Sequence, residues 1–513
     1  MKPLRALTLG LAALAFVALA WVLARRLAYP YDLEWMEGGM LCHSLRLLEG
    51  QPLYAPPSVD FVPYLYTPFY PKLVAGLARV FGLGYTLGRL VSLIGFFGAL
   101  LLGYVFARRE GGSRATAAIA MALPAAAFVP TGAWFDLARP DSLFLGLTTA
   151  GLLVGWWKRN SHAGVAAAAA LLVLAFFTKQ TASPFMVALG VALLFTNWRM
   201  VPTYGGTLAI LGLPTLWWLN HSTGGWFWTY VFKLHQQHDF YAGRAFLGSP
   251  VRLALLLGPA LLLVPWALVR ARTPGLVYAS FLGAAGAGAA CLGFGTQWAF
   301  TNAFIPGIFF PAIAIGAAAG RLITVGELPR LRPQVVYALL AISLCVAPGA
   351  LLPVAARFVP RTWAIDRDAP TGYDPRRYLP SAEDRTRAAA LIDRLRATPG
   401  DVLIPFHPFY GYLAGKRTYL HRMGVLDVGR AGMGAPVGLV EAIRQQQFSA
   451  VVMDNKIDGN WHLWPGLQAA YPTVERIAGP RVVSGADTEP RYWLTPRPPV
   501  PTPAPTPVIE REP

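Results

Sequence analysis

The chain has 513 residues, of which 55% are hydrophobic and only 14% charged, where a soluble domain carries roughly a quarter; the composition argues against a soluble globule. Lys and Arg number 44 against 26 Asp and Glu, a formal charge of +18. The basic residues form no run and lie between apolar stretches of membrane length, so the excess reads as membrane orientation before nucleic-acid binding. Cys42, Cys291 and Cys345 are far apart with no CxxC pair, which fits neither a disulfide framework nor a structural zinc site.

In chain order, apolar runs near the bilayer-crossing length recur at 4–24, 86–107, 115–131, 141–157, 163–178, 182–196, 203–220, 250–269, 275–294, 301–319 and 335–355, about eleven spans. The first contains Ala18-Leu19-Ala20, which resembles a signal-peptide cleavage site, but the many later spans favour an uncleaved helix. Lys2, Arg5, Arg108, Arg109, Arg114, Lys158, Arg159, Arg199, Arg270, Arg272, Arg321, Arg330 and Arg332 then share one face, which is thereby cytoplasmic. Arg25 and Arg26 dissent. Counting 66–82 as a span would invert every later loop, so this segment, with Pro68, Pro71, Lys72 and Arg79, is expected to lie on the outer surface.

Beyond residue 356 the composition becomes that of a soluble domain, with 20 basic and 16 acidic residues from Arg357 onward. With an odd number of spans this part lies outside. Helix-like 383–397, strand-like 401–405, helix-like 436–446 and strand-like 450–454 predict a small α/β unit. It contains no GxGxxG and no P-loop, so nucleotide binding is not indicated. The expected organisation is an all-α polytopic membrane domain at 1–356 with an acidic first outer loop at 28–85, an extracytoplasmic α/β domain at 357–494, and a proline-rich disordered tail at 495–513.

The first 356 residues hold ten carboxylates, and all but Glu110 and Glu327 fall on the outer face. Acidic residues contribute little to topology, so a site at the outer boundary is the better explanation. The densest group is Asp32, Glu34 and Glu37. If 35–49 is a short helix, Glu34 and Glu37 share a face and Asp32 sits at the N-terminal cap; the alternative is an interfacial helix with solvated acids. In a second loop Asp136 and Asp141 bracket Arg139, as a site or as a cap and a local ion pair. Lys179 in Phe177-Thr178-Lys179-Gln180-Thr181 and Arg139 are cations on the disfavoured side, suited to a lipid phosphate or to snorkelling. His235, His238 and Asp239 are close enough in sequence to bind a divalent metal or a phosphate. A divalent metal is possible there, but no further ligand accompanies them in sequence, so none is assigned.

These residues resemble the GT-C superfamily of membrane glycosyltransferases, which use polyprenyl-phosphate sugars and include lipid A aminoarabinose transferases and protein O-mannosyltransferases. The resemblance is carried over the first 200 residues by the acidic loop, Leu48-Glu49-Gly50-Gln51-Pro52-Leu53-Tyr54, Tyr66-Thr67-Pro68-Phe69-Tyr70-Pro71, Arg139-Pro140-Asp141-Ser142 and Thr178-Lys179-Gln180. It implies that a carboxylate of the first loop is the catalytic base, Asp32 or Glu34, because the family's acidic pair is split here. Glu37, Asp136 and Asp141 would serve the acceptor side, and Lys179, Arg139, Lys72, His235 and His238 the carrier phosphate. The implied activity is transfer of a sugar from a polyprenyl-phosphate carrier to an acceptor hydroxyl on a glycan, lipid or protein, with inversion, at the outer face of a bacterial cytoplasmic membrane. The rivals are a lipid-linked sugar flippase, which the nearly charge-free span centres disfavour, and a non-catalytic envelope assembly protein.

Overall fold

The computed structural model describes residues 2–324, 331–365, 374–457 and 460–496. Nine helices lead from the N-terminus through the candidate loops: α1 Lys2–Leu27, α2 Glu37–Leu48, α3 Phe69–Phe81, α4 Tyr85–Gly111, α5 Arg114–Ala126, α6 Pro140–Trp157, α7 His162–Thr178, α8 Ser183–Asn197 and α9 Val201–Ser222. Local chemistry fixes their ends. Gly112 takes a left-handed conformation that stops α4, and the Ser113 and Ser161 hydroxyls accept the Thr116 and Gly164 amides to start α5 and α7. The expected outer-surface helix is α3, and the expected short helix of the first loop is α2.

Six helical segments among the described residues are long and apolar enough to cross a membrane by length and composition: Lys2–Leu27, Tyr85–Gly111, Gln180–Ser222, Arg244–Arg270, Pro274–Gly295 and Thr301–Thr324. Three apolar helices are shorter, Arg114–Ala126, His162–Thr178 and Pro333–Val346. The gap from about eleven expected spans has local causes. The run 115–131 stops being helical at Ala126, two residues after Pro124, where the chain turns into a buried loop. The run 141–157 is diluted by Asp141 and a pair of tryptophans. The run 182–220 bends at Trp198–Met200 within one continuous segment.

Helices α4 and α6 meet at backbone distance. A Cβ on Gly95 would lie 2.4 Å from the Ser142 carbonyl oxygen, and one on Gly146 would lie 2.6 Å from that of Gly95, the small-residue contact that lets apolar helices pack closely in lipid. The Ser92 hydroxyl, one turn away, donates to the Leu137 and Arg139 carbonyls at 2.6 and 3.0 Å. The loop before α6 is thereby fixed to α4.

The C-terminal part carries one mixed sheet of β1 Asp401–Leu403, β2 Phe448–Asp454, β3 Thr473–Arg476 and β4 Pro490–Thr495, in the order β1-β2-β4-β3. β1 and β2 are parallel, and the other pairs are antiparallel. Helix Ala382–Ala397 begins with a capping box of Ser381 and Asp384. The two expected strands appear as β1 and β2, while the expected helix at 436–446 shrinks to Leu439–Arg444. The sheet does not stand apart from the membrane helices. Phe409, Tyr410, Val452 and Trp493 share one core with Met40, Leu41, Tyr64, Tyr70 and Tyr85. Of the proline-rich tail, 497–513 lies outside the described residues, as does Glu327.

The α4–α6 contact yields a testable consequence. Gly95→Val should lower stability by about 1–3 kcal/mol through overpacking, read as an earlier thermal unfolding transition in detergent. Gly98→Val, where an added Cβ meets nothing within 4 Å, should leave the transition in place.

Candidate functional site

Two buried ion pairs shape the first loop. The Glu37 carboxylate accepts Arg89 Nε and Nη2 at 2.8 and 2.7 Å, and takes the Ala138 and Leu33 amides at 2.8 and 2.9 Å. Arg89 also donates to the carbonyls of Arg26, Tyr29 and Tyr31. Arg26 Nε donates to Asp136 at 2.7 Å, with its other nitrogens on the Ala133 and Tyr378 carbonyls and the Ser484 hydroxyl. All four side chains are completely buried. Glu37 and Asp136 therefore hold the loops together and do not border the cavity described below. The expectation that Glu34 and Glu37 share a helix face does not hold, because α2 begins at Glu37 and Glu34 precedes it. Arg26, a dissenter from the charge asymmetry, is the internal partner of Asp136. Of the two readings of the second loop, the local ion pair does not form: Arg139 pairs with Glu34, Asp136 with Arg26 and Asp141 with Lys179.

Asp32 lies in the first loop, just before Glu34. Its Oδ1 accepts the Gly38 amide at 2.7 Å, so it does satisfy the start of α2, although the cap position itself is Met36. A Cβ on Gly38 would meet that oxygen at 2.9 Å, and one on Gly39 would meet the Tyr64 hydroxyl at 1.8 Å; Gly38-Gly39 is the pair that admits both neighbours. Asp32 Oδ2 accepts from His407 Nδ1 at 2.7 Å, and His407 Nε2 donates to Asp454 at 2.9 Å. A ring with a carboxylate at each nitrogen donates from both, as an imidazolium. Burial opposes that charge, but the Asp454 and Asp32 carboxylates outweigh it and raise the His407 pKa to about 10. Sequence reasoning missed His407 and Asp454, which stand some 375 and 420 residues from Asp32 in a segment without a motif.

Above this layer opens a cavity of about 980 Å³. Its polar wall includes Glu34, Arg139, Asp141 and Lys179, and Phe144, Phe176, Phe232, Phe300, Ile305 and Pro306 supply an apolar side. Arg139 Nη1 donates to Glu34 Oε2 at 3.0 Å and Nη2 to the Tyr66 hydroxyl at 2.8 Å. Lys179 Nζ donates to Asp141 at 2.6 Å, and Asn302 and Trp134 hold the same carboxylate. Burial pushes the Glu34 pKa up to about 7 against the pull of Arg139. His235 and His238 also line the cavity. Burial lowers the His235 pKa to about 4, which keeps the ring neutral, and its Nε2 faces the Leu65 carbonyl at 3.1 Å. His238 faces Asp427 at 3.4 Å, and Asp239 turns to Arg430 at 2.5 Å. Among the described residues no three His, Cys, Asp or Glu side chains are grouped to hold a metal ion. Lys72 does not border the cavity; its ammonium lies 5.2 Å over the Trp218 ring.

The Arg89–Glu37 pair makes a prediction about folding. Arg89→Met would strand a buried carboxylate with only two amide donors, at a cost of about 3–5 kcal/mol. Glu37→Gln in the same chain should restore part of that loss, read as a positive coupling in a double-mutant cycle of unfolding transitions.

No protein-family model matches the chain, and no curated protein matches its sequence. Solved structures do match. The crystal structure of ArnT from Cupriavidus metallidurans bound to undecaprenyl phosphate is similar over 94% of this chain and 97% of its own, at 15% identity and a TM-score of 0.57. The apo form of the same protein is similar over 94% and 96%, again at 15% identity and a TM-score of 0.57. The chain thus has the ArnT fold, with helices long and apolar enough to cross a membrane.

Proposed function

We propose that this chain is a membrane glycosyltransferase that moves a sugar from a polyprenyl-phosphate carrier to an acceptor hydroxyl, with inversion, at the extracytoplasmic face of a bacterial cytoplasmic membrane. The carrier class is suggested by the undecaprenyl phosphate in the ArnT structure. The observation that carries the reading is the cavity wall, where the Glu34 carboxylate, the Arg139 guanidinium and the Asp141–Lys179 pair stand together beside an apolar side fit for a lipid chain. The charge asymmetry of the loops supports the sidedness. A domain division near residue 356 remains part of this proposal.

In this reading the acceptor oxygen attacks the anomeric carbon as the bond from that carbon to the phosphate oxygen breaks. The acceptor proton passes to Glu34, and the carrier departs as its phosphate. Lys179 and Arg139 meet the negative charge that grows on the leaving group, where fixed cations act most strongly. Glu34 is favoured over Asp32 as the base because it borders the cavity, whereas Asp32 has one oxygen on the Gly38 amide and the other on His407. A carboxylate with a pKa of about 7 is also well matched to proton transfer at neutral pH. Asp32 then acts as a positioning residue for the loop that carries Glu34. Asp141 orients Lys179, and His235 and His238 belong to the rim.

Two experiments follow, both with purified full-length protein and a synthetic undecaprenyl-phosphate sugar. Glu34→Gln should lower kcat by about 10²–10⁴-fold with carrier affinity retained. The wild-type rate should fall as pH drops through about 7, since protonation removes the base, and the residual rate of Glu34→Gln should be flat there. Normal turnover in Glu34→Gln would transfer the role to Asp32.

For Lys179, truncation leaves Asp141 held by Asn302 and Trp134. Lys179→Ala should therefore reduce kcat as well as carrier affinity, and Lys179→Arg should keep part of both. Normal kinetics in Lys179→Ala would leave Lys179 only the role of ion-pair partner to Asp141.

A further inference from the structure

Two further cations line the cavity. Among its described residues, Glu34 pairs with Arg139, Asp141 with Lys179, and Asp427 with His238. Arg422 and Lys456, from the sheet-bearing part, also line it, and among the described residues neither has a carboxylate within ion-pair distance. The Asp454 carboxylate attracts Arg422 from beyond ion-pair distance, and aromatic rings hold its guanidinium. Its guanidinium lies 5.3 Å over the Phe406 ring and 5.9 Å over that of Trp35, and its backbone amide donates to the Pro405 carbonyl at 2.7 Å. Its Nε is buried with no hydrogen-bond partner. Aromatic rings attract a guanidinium and fix its plane while leaving its donors unspent. A half-buried cation so arranged is costly unless an anion completes it. Trp35 directly follows Glu34 in the chain, and Glu34, Trp35 and Arg422 line the same cavity.

We propose that Arg422 and Lys456 form an oxyanion subsite, and that the acceptor carries a carboxylate or phosphate near its reactive hydroxyl. The assignment of this subsite to the acceptor rests on the glycosyltransferase reading. Lys179 and Arg139 are the cations proposed for the carrier phosphate, which leaves the pair from the sheet-bearing part for the acceptor. An acidic sugar residue would be read by a bidentate guanidinium contact, with Lys456 as a second, mobile charge.

The test compares methyl glucuronide with methyl glucoside, which differ in the carboxylate, and adds glucose 6-phosphate as the phosphate form. Binding to the full-length protein in nanodiscs is followed by ligand-observed NMR. The two anionic sugars should bind at least about tenfold tighter than the neutral one, a difference of about 1.4 kcal/mol. Arg422→Gln should erase the difference, Arg422→Lys should keep part of it, and Lys456→Gln should reduce it. Undecaprenyl phosphate affinity in Arg422→Gln, expected within about twofold of wild type, reports that the variant is folded. If that variant does not fold, Arg422→Lys and Lys456→Gln decide the matter. Equal binding of charged and neutral sugars would overturn the proposal. Displacement of the glucuronide by saturating undecaprenyl phosphate would also overturn it, by giving Arg422 to the carrier. If wild type binds no undecaprenyl phosphate but still prefers the anionic sugars through Arg422, the oxyanion subsite stands and the glycosyltransferase reading fails.

Discussion

The fork between Arg89 and Glu37 is the constraint on which the site depends. Arg89 stands near the start of α4, and each of its donors is committed to the first loop or to the end of α1. Glu37 takes that fork and still accepts one amide from its own loop and one from the loop before α6. Two segments with no regular structure are thus tied to one point on one helix. A guanidinium and a carboxylate removed from water need this many partners, because their mutual attraction alone does not offset desolvation.

From that point the geometry of the cavity follows by short steps. The Leu33 amide is fixed by Glu37, so Glu34 is turned the other way, toward Arg139. Ala138 is fixed by the other oxygen, so Arg139 leaves the loop at a defined place. Ser92 holds the Leu137 and Arg139 carbonyls, and the glycine contact of α4 with α6 sets the distance. Asp141 then falls opposite Lys179 at the mouth of α7. The two cations proposed for the carrier phosphate are oriented by carboxylates. Each pair also leaves donors over: Arg139 Nε has no partner, and Lys179 is spent on a single oxygen.

Much of this was legible in the sequence, and the part that was not has a common cause. Several long apolar helices, the short helix after the acidic cluster and the helix Phe69–Phe81 followed from apolar length and local breakers, which act within a few residues, whereas the expected count of about eleven spans did not. The strands β1 and β2 were foreseen because they are apolar runs. β3 was not, since all four of its residues are exposed and it has no alternating pattern, and β4 begins on Pro490, which reads as a strand boundary or a loop. The acidic residues drew notice as a group, but their structural surroundings were not separable. Spacing places Glu34 and Glu37 alike, and only the distant Arg89 and Arg139 draw them to opposite sides. His407, Asp454 and Arg422 carry no local signal at all, because their meaning lies in what the chain brings to them from hundreds of residues away.

The sheet-bearing part has two connections to the site, and they differ in what they respond to. His407 is clamped between Asp32 and Asp454, with a folded-state pKa of about 10, above the roughly 6.5 of an unperturbed imidazole. A raised basic pKa contributes stability that is whole below about 6.5 and is lost as pH rises toward 10. Over the range where Glu34 exchanges its proton, near 7, the clamp therefore keeps nearly all of its charge. Arg422, always protonated, does not change there either. The only one of these three groups that titrates at neutral pH is the carboxylate proposed to move a proton. The fixed charges beside it come from the two structural parts that it faces. That separation is what a proton-transfer site needs, since a base is tuned by neighbours whose own charge stays constant while its own does not.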